Sequence, residues 1–246
     1  MKTALRLLSV LILVFILPSL VSAGLWATQE RPARWSEAKW GSAGILPRAA
    51  QSPEAAIYVY SAMTGGMKGA LASHAWIVTK EKGGEYKRYD KVGWGSSPIR
   101  RNHRAPDAYW YSNPPRLVTS VHGAEAEALI PKVEAAIESY PHGEAGGYRI
   151  YPGPNSNTFV AHVLRSVPEL DAVLPADAVG RDYLPHGAFY ALDEDGRDLH
   201  LSLGGLAGLS VGARSGFEVN FLGLVAGVDV APLALKLPGF GTMAWE

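Results

Sequence analysis

The chain contains no cysteine, so neither a disulfide framework nor thiol chemistry is open to it in any compartment. An excess of charge of one sign is also missing. The 23 Lys and Arg residues balance 23 Asp and Glu residues, which leaves no basic field to recruit nucleic acid. Its seven histidines show no zinc spacing: there is no H-E-x-x-H and no close pair on a helix face. Neither a dinucleotide fingerprint nor a phosphate-cradling P-loop occurs. No metal, no cofactor and no nucleic-acid partner is expected, and no internal repeat is visible.

One long hydrophobic run is present, at the start. Lys2 and Arg6 precede an apolar stretch from Leu7 to Leu20, broken only by Ser9, Pro18 and Ser19. Val21-Ser22-Ala23 then fits the small-residue pattern of a signal-peptidase site. The uncharged length from Leu7 to Trp26 also suits an uncleaved anchor, with Trp26 at the outer interface. Residues 1–23 are thus a signal peptide or a membrane anchor, and both versions put the rest of the chain on the periplasmic side of a cell envelope. Without Lys2 and Arg6, 21 basic residues face 23 acidic ones.

Residues 24–53 are rich in Trp, Pro, Ala and Ser without periodicity, and read as a tether packing back by Trp35 and Trp40. Residues 54–246 read as a single α+β domain, with a core over 54–190 and a β-rich part over 191–246. Its length is enough for a core without staples. β-Branched and aromatic runs at Ala56–Tyr60, Ala75–Thr79 and Tyr86–Val92, separated by glycine turns, predict an antiparallel meander. Ile99 to Pro115 reads as a long polar and aromatic loop. Leu129, Ile130, Val133 and Ile137 make a helical stripe within 124–140, where Pro131 must kink the helix or lie in its first turn. Tyr148–Tyr151 reads as a short strand. A second helix opens at Asn155-Ser156-Asn157 and buries Phe159, Val160, Val163, Leu164 and Val167. Two or three Gly-rich hairpins close the chain.

A literal G-x-S-x-G stands at Gly208–Gly212, but no histidine follows His200 and no helix follows the serine, so it reads as a glycine-rich turn. The loop residues Arg100, Arg101 and Arg104 offer charge for an anionic headgroup or peptide carboxylate. Tyr109, Trp110 and Tyr111 offer a lining for a ligand cleft; solvation and packing are the plainer roles for both groups. More informative is Tyr151-Pro152-Gly153-Pro154-Asn155-Ser156-Asn157. A helix cap explains one of its three polar residues. The same place suits a nucleophile, because orphan N–H groups and the dipole stabilise an oxyanion there. Serine requires a base held by a partner. His74, at a strand start, is the candidate base, and Asp90, on the next strand, its orienter. The plainer role for His74 is a buried structural histidine.

The stretches His74–Val78, Tyr89–Gly95, Gly123–Pro131 and Gly153–Ala161 resemble an uncharacterised bacterial domain-of-unknown-function family, number 3750, from about Trp35 to the C-terminus. More distantly, the order of His74, Asp90 and Asn155-Ser156 is similar to that of the circularly permuted NlpC-like papain fold, which includes lecithin–retinol acyltransferase. That resemblance implies a permuted papain-like core and chemistry on amide or ester bonds in peptidoglycan or lipid, with Ser156 standing where those proteins keep a cysteine. Two functions are expected from this. In the first, an envelope hydrolase or acyltransferase uses Ser156 as nucleophile, His74 as base and Asp90 as orienter. Its oxyanion hole is the Ser156 N–H with the Asn155 or Asn157 amide. In the second, a non-catalytic envelope module keeps the cleft to bind a peptide, glycan or lipid fragment.

Overall fold

A computed structural model of the chain describes residues 2–244. Helix α1 runs over Lys2–Ala27, with a π-helical stretch at Ile12–Ile16. Five antiparallel strands follow: β1 (Ala56–Met63), β2 (Ser73–Lys80), β3 (Tyr86–Lys91), β4 (Ile99–Arg101) and β5 (Arg116–His122). They form one sheet in the order β4-β3-β2-β1-β5, so the expected meander is present. Alternation of side chains gives the sheet two buried faces. Ile57, Val59, Ala75, Ile77 and Tyr89 point to one face, covered by helices α2 (Gly123–Glu138) and α3 (Ser156–Ser166). Tyr58, Tyr60, Trp76 and Val78 point to the other, covered by Trp110 and by Trp40 and Leu46 of the 24–53 segment. The first face is an aliphatic core and the second an aromatic one.

A second antiparallel sheet holds β6 (Tyr190–Leu192), β7 (Asp198–Leu203), β8 (Ala207–Gly212), β9 (Gly216–Phe221), β10 (Leu224–Val230), β11 (Leu233–Leu237) and β12 (Gly241–Ala244). Strands pair only with sequence neighbours, so short glycine-bearing turns suffice to build it. The fold class is α+β, as expected.

Four local expectations fail. The closing part is a seven-stranded meander rather than two or three hairpins, because weakly patterned runs such as Leu233–Leu237 pair once a neighbour is present. Gly208–Gly212 is the body of β8 and not a turn, since it pairs on both edges. Tyr148–Tyr151 is not a strand: Arg149 N–H bonds to Pro154 O at 2.8 Å, a local closure imposed by the two prolines in place of a ladder. The 99–115 loop contains β4, in register with β3. Of the two alternatives left open for Pro131, the first turn is excluded, since it lies inside α2.

Candidate functional site

The start of α3 is tied down by three polar residues with separate tasks. Asn155 is the N-cap: its Oδ1 accepts from the N–H of Asn157 at 2.9 Å and of Thr158 at 3.2 Å. Thr158 Oγ1 accepts the Asn155 N–H at 3.0 Å, completing a capping box. The Asn155 amide donates to Ile150 O and Val179 O, both at 3.0 Å. The Asn157 amide donates to Ser73 O and Val179 O, both at 2.8 Å. Both donors of each NH2 are therefore spent on backbone carbonyls, and neither amide is free to serve an oxyanion. This corrects the expected oxyanion hole and leaves the Ser156 N–H as the unclaimed donor of the trio. Tyr148 adjoins it: burial raises the phenol's pKa, and the neighbouring Ser156 acts in the opposite direction.

His74 belongs to the opposite, aromatic face. Its ring stacks on Trp110 with centroids 3.8 Å apart, and its Nε2 meets Asp90 Oδ1 at 2.9 Å. Arg88, two residues before Asp90 and so on the same face, grips the carboxylate by two donors, Nε to Oδ2 and Nη2 to Oδ1, both at 2.7 Å. Its guanidinium lies 4.0 Å from the Trp76 ring centre. His103 Nδ1 stands 3.4 Å from Asp90 Oδ2, without hydrogen-bond alignment. Burial alone would raise Asp90. The Arg88 guanidinium and the His74 hydrogen bond outweigh it and hold the carboxylate well below its usual range. Burial pushes His74 down despite Asp90, so the imidazole is neutral near pH 7. An ionised carboxylate only accepts, so Nε2 carries the proton and Nδ1 keeps its lone pair. Among the described residues Nδ1 has no hydrogen-bond partner, and it is not sealed from solvent.

The two groups meet at one cavity of about 600 Å³ around the start of β2, lined by both His74 and Ser156. They reach it from opposite faces of the sheet. No hydrogen bond joins the Ser156 hydroxyl to His74. Trp40, Trp94, Trp110, Tyr111, Tyr148 and Tyr151 supply aromatic walls.

Residues 54–183, more than half of the chain, match DUF3750, described as a protein of unknown function. The chain belongs to this family. No curated protein and no solved structure matches it. The matched stretch contains His74, Asp90 and Ser156 with the whole first sheet, whereas α1 and the second sheet lie outside it.

Of the loop residues singled out in this DUF3750 chain, Arg104, Trp110 and Tyr111 line the cavity, and Arg100, Arg101 and Tyr109 do not. Arg100 instead donates to Trp94 O at 3.0 Å, and Arg101 faces the Tyr89 ring. Sequence reasoning missed Arg88 and Tyr148. The Arg-x-Asp spacing on one strand was the available signal for Arg88; nothing local marked Tyr148.

A second polar row lies in the meander. His200 Nδ1 meets Ser210 Oγ at 2.9 Å and Nε2 meets Asp193 Oδ1 at 3.0 Å, because His200 and Ser210 are direct cross-strand partners. Arg214 pairs with Asp193 at 3.0 Å. The space beside this row is about 30 Å³, room for about one water. A substrate does not fit there.

Proposed function

We propose that this protein is a cell-envelope hydrolase or acyltransferase acting on an amide or ester bond, with His74 as general base and Ser156 as nucleophile. One observation carries the reading. A neutral, Asp-oriented imidazole whose Nδ1 has no hydrogen-bond partner among the described residues lines the same cavity as the serine at a helix's positive end. In the first step Ser156 Oγ bonds to the carbonyl carbon as its proton passes to His74 Nδ1. The carbon–nitrogen or carbon–oxygen bond then breaks, and the leaving group takes that proton. Water or an acceptor hydroxyl releases the acyl group by the reverse sequence. The Ser156 N–H and the Tyr148 phenol, both of residues lining the cavity, are the donors assigned to the oxyanion. The first step requires the serine hydroxyl and the imidazole to come within hydrogen-bond reach when substrate binds. The apolar N-terminal helix supports the envelope location, and the distant likeness of His74, Asp90 and Ser156 to the permuted papain-like arrangement supports the bond type.

A second reading, a binding module without turnover, is favoured by the absence of that Ser156–His74 hydrogen bond and by the structural use of Asn155 and Asn157. A panel of p-nitrophenyl acyl esters and acyl p-nitroanilides separates the two. Turnover that falls by about 100-fold or more in both Ser156→Ala and His74→Ala supports the enzyme. Saturable binding of the same acyl compounds with no turnover supports the module.

A further inference from the structure

The turns of the second sheet alternate between its two ends, and the ends differ in chemistry. At one end lie the β6–β7 connection, with Asp193, Glu194, Asp195 and Arg197, and the β8–β9 turn, with Arg214. At the other lie Gly204-Gly205-Leu206, Leu222-Gly223 and Pro238-Gly239-Phe240, without a single charge. Leu203, Leu206, Leu222 and Phe240 are exposed there, and Leu222 N–H bonds to Leu206 O, joining two of the tips.

Helix α1 docks on this uncharged end. Phe15 packs against Phe221 with ring centres 5.7 Å apart. Ser22 Oγ donates to Ala70 O at 2.6 Å and approaches Gly239 O at 3.2 Å, and Trp26 Nε1 donates to Gly66 O at 2.9 Å. A Cβ on Gly69 would overlap the Trp26 ring, and one on Gly239 would overlap Ser22. The seam is therefore fitted to the helix. Phe15, Ser19, Ser22 and Trp26 are buried at spacings of four, three and four, one helical stripe. Leu13, Leu17, Leu20, Val21 and Leu25 are exposed. A helix in water hides its apolar face; this one turns two serines inward and its leucines outward, as a helix facing lipid does.

The walls that receive the helix also bound the cavity. Gly66, Gly69 and Ala70 touch α1 while Lys68 and Leu71 line the cavity, and Phe221 touches α1 while Leu222 lines it. The lining contains no Asp or Glu, and its cations Lys68 and Arg104 form no ion pair with an acid among the described residues.

We propose that α1 remains attached as a docked anchor and, with the three uncharged tips, seats this end of the protein in the bilayer. The cavity then opens beside the membrane and takes an anionic acyl amphiphile from it, head toward Lys68 and Arg104. The seating stands without catalysis; only the naming of a substrate rests on the enzymatic reading above. With Trp26 at the interface, Phe15 lies up to ~16 Å further along the helix, and tilt shortens that depth.

The cysteine-free chain permits a direct test. Full-length Leu222→Cys and Leu206→Cys, each carrying a bimane label, are reconstituted in phosphatidylglycerol–phosphatidylethanolamine vesicles containing doxyl-labelled lipid. Both labels lose fluorescence to the quencher. A label at Lys82→Cys, on the β2–β3 turn at the far end of the first sheet, does not. N-terminal sequencing of membrane-bound protein begins ahead of Gly24. A start at Gly24, or tip labels no more quenched than Lys82→Cys, overturns the seating. A diazirine-tailed phosphatidylglycerol in the same vesicles then cross-links to the 148–157 peptide, and less so in the double variant Lys68→Gln, Arg104→Gln. Adducts confined to α1, or displacement by a soluble muropeptide, overturn the lipid assignment. Failure of the enzymatic reading is seen separately, as wild-type protein that is quenched and captures lipid without turnover.

Discussion

The molecule contains two rows built on a histidine and an aspartate, and they are complementary in what they lack. His200 holds Asp193 on one nitrogen and Ser210 on the other, a bonded Ser-His-Asp row beside about 30 Å³ of space. His74 holds Asp90 and leaves its second nitrogen open at a cavity of about 600 Å³. The row that is complete has little room beside it, and the row that lines the larger cavity is incomplete. Hydrogen-bond geometry alone would choose the wrong one. In the meander, cross-strand pairing accounts for the row as ordinary satisfaction of buried polar groups. At the cavity, no described residue bonds to Nδ1.

The sharpest way to break this comparison is to delete each histidine in turn. His74→Ala is expected to lower acyl-ester turnover by about 100- to 10,000-fold, while His200→Ala leaves turnover per folded molecule unchanged. Steady-state kinetics on variants checked for folding would show it. Equal losses in the two variants would dissolve the distinction.

The next effect concerns stability. Asp90→Asn leaves Arg88, a fully buried guanidinium, without its counter-charge, and is expected to lose about 3–5 kcal/mol. Asp193→Asn leaves Arg214 with Asp195 and Asp198 at 2.8 and 3.2 Å, so its loss should be smaller, about 1–3 kcal/mol. Urea midpoints of the two variants give the order.

Acid provides a weaker, graded test. Burial holds His74 below its ordinary pKa, and holds His162 down at about 4. Below about pH 6.5 the unfolded chain takes up protons that the folded chain refuses. Their contribution to stability is therefore whole above that value and is lost as pH falls through the folded pKa values. Asp90 acts lower: its contribution is whole above about pH 3.9 and is lost only on further acidification. Denaturation midpoints between pH 8 and 5 should fall with pH. In His162→Gln the residual slope is shared by His74, His103 and His142, all held down by burial, and a flat profile there would contradict the buried, neutral state of His74.

The smallest effect is at Ser210. Ser210→Ala removes one hydrogen bond in the closed row and is expected to lower stability by about 0.5–1.5 kcal/mol, with no change in turnover.

Much of the first sheet was legible because its signals are local. Alternating Ile, Val and Tyr in β1, glycine turns, and the cap residues before α3 each follow from sequence neighbours. The pairing of His74 with Asp90 was also legible, since the two stand on consecutive strands of a meander. What could not be read was the face. Strand parity puts His74 with Trp76 and away from α3, and no spacing between residues 74 and 156 reveals on which side the later helix packs. The same limit hid the His200 row: its partners lie on β7, β8 and the turn before them, and their meeting depends on a register set by weakly patterned strands. The aromatic cover from Trp40 and Trp110 was visible as composition, whereas its position over the His74 face was not.

The most direct measurement is a mapped covalent probe. Full-length protein is treated with an acyl-mimicking fluorophosphonate and the modified peptide is identified. The adduct should fall on Ser156 and disappear in His74→Ala, with Ser210 untouched. An adduct on Ser210, or one on Ser156 that persists without the imidazole, would contradict the assignment of chemistry to the open row.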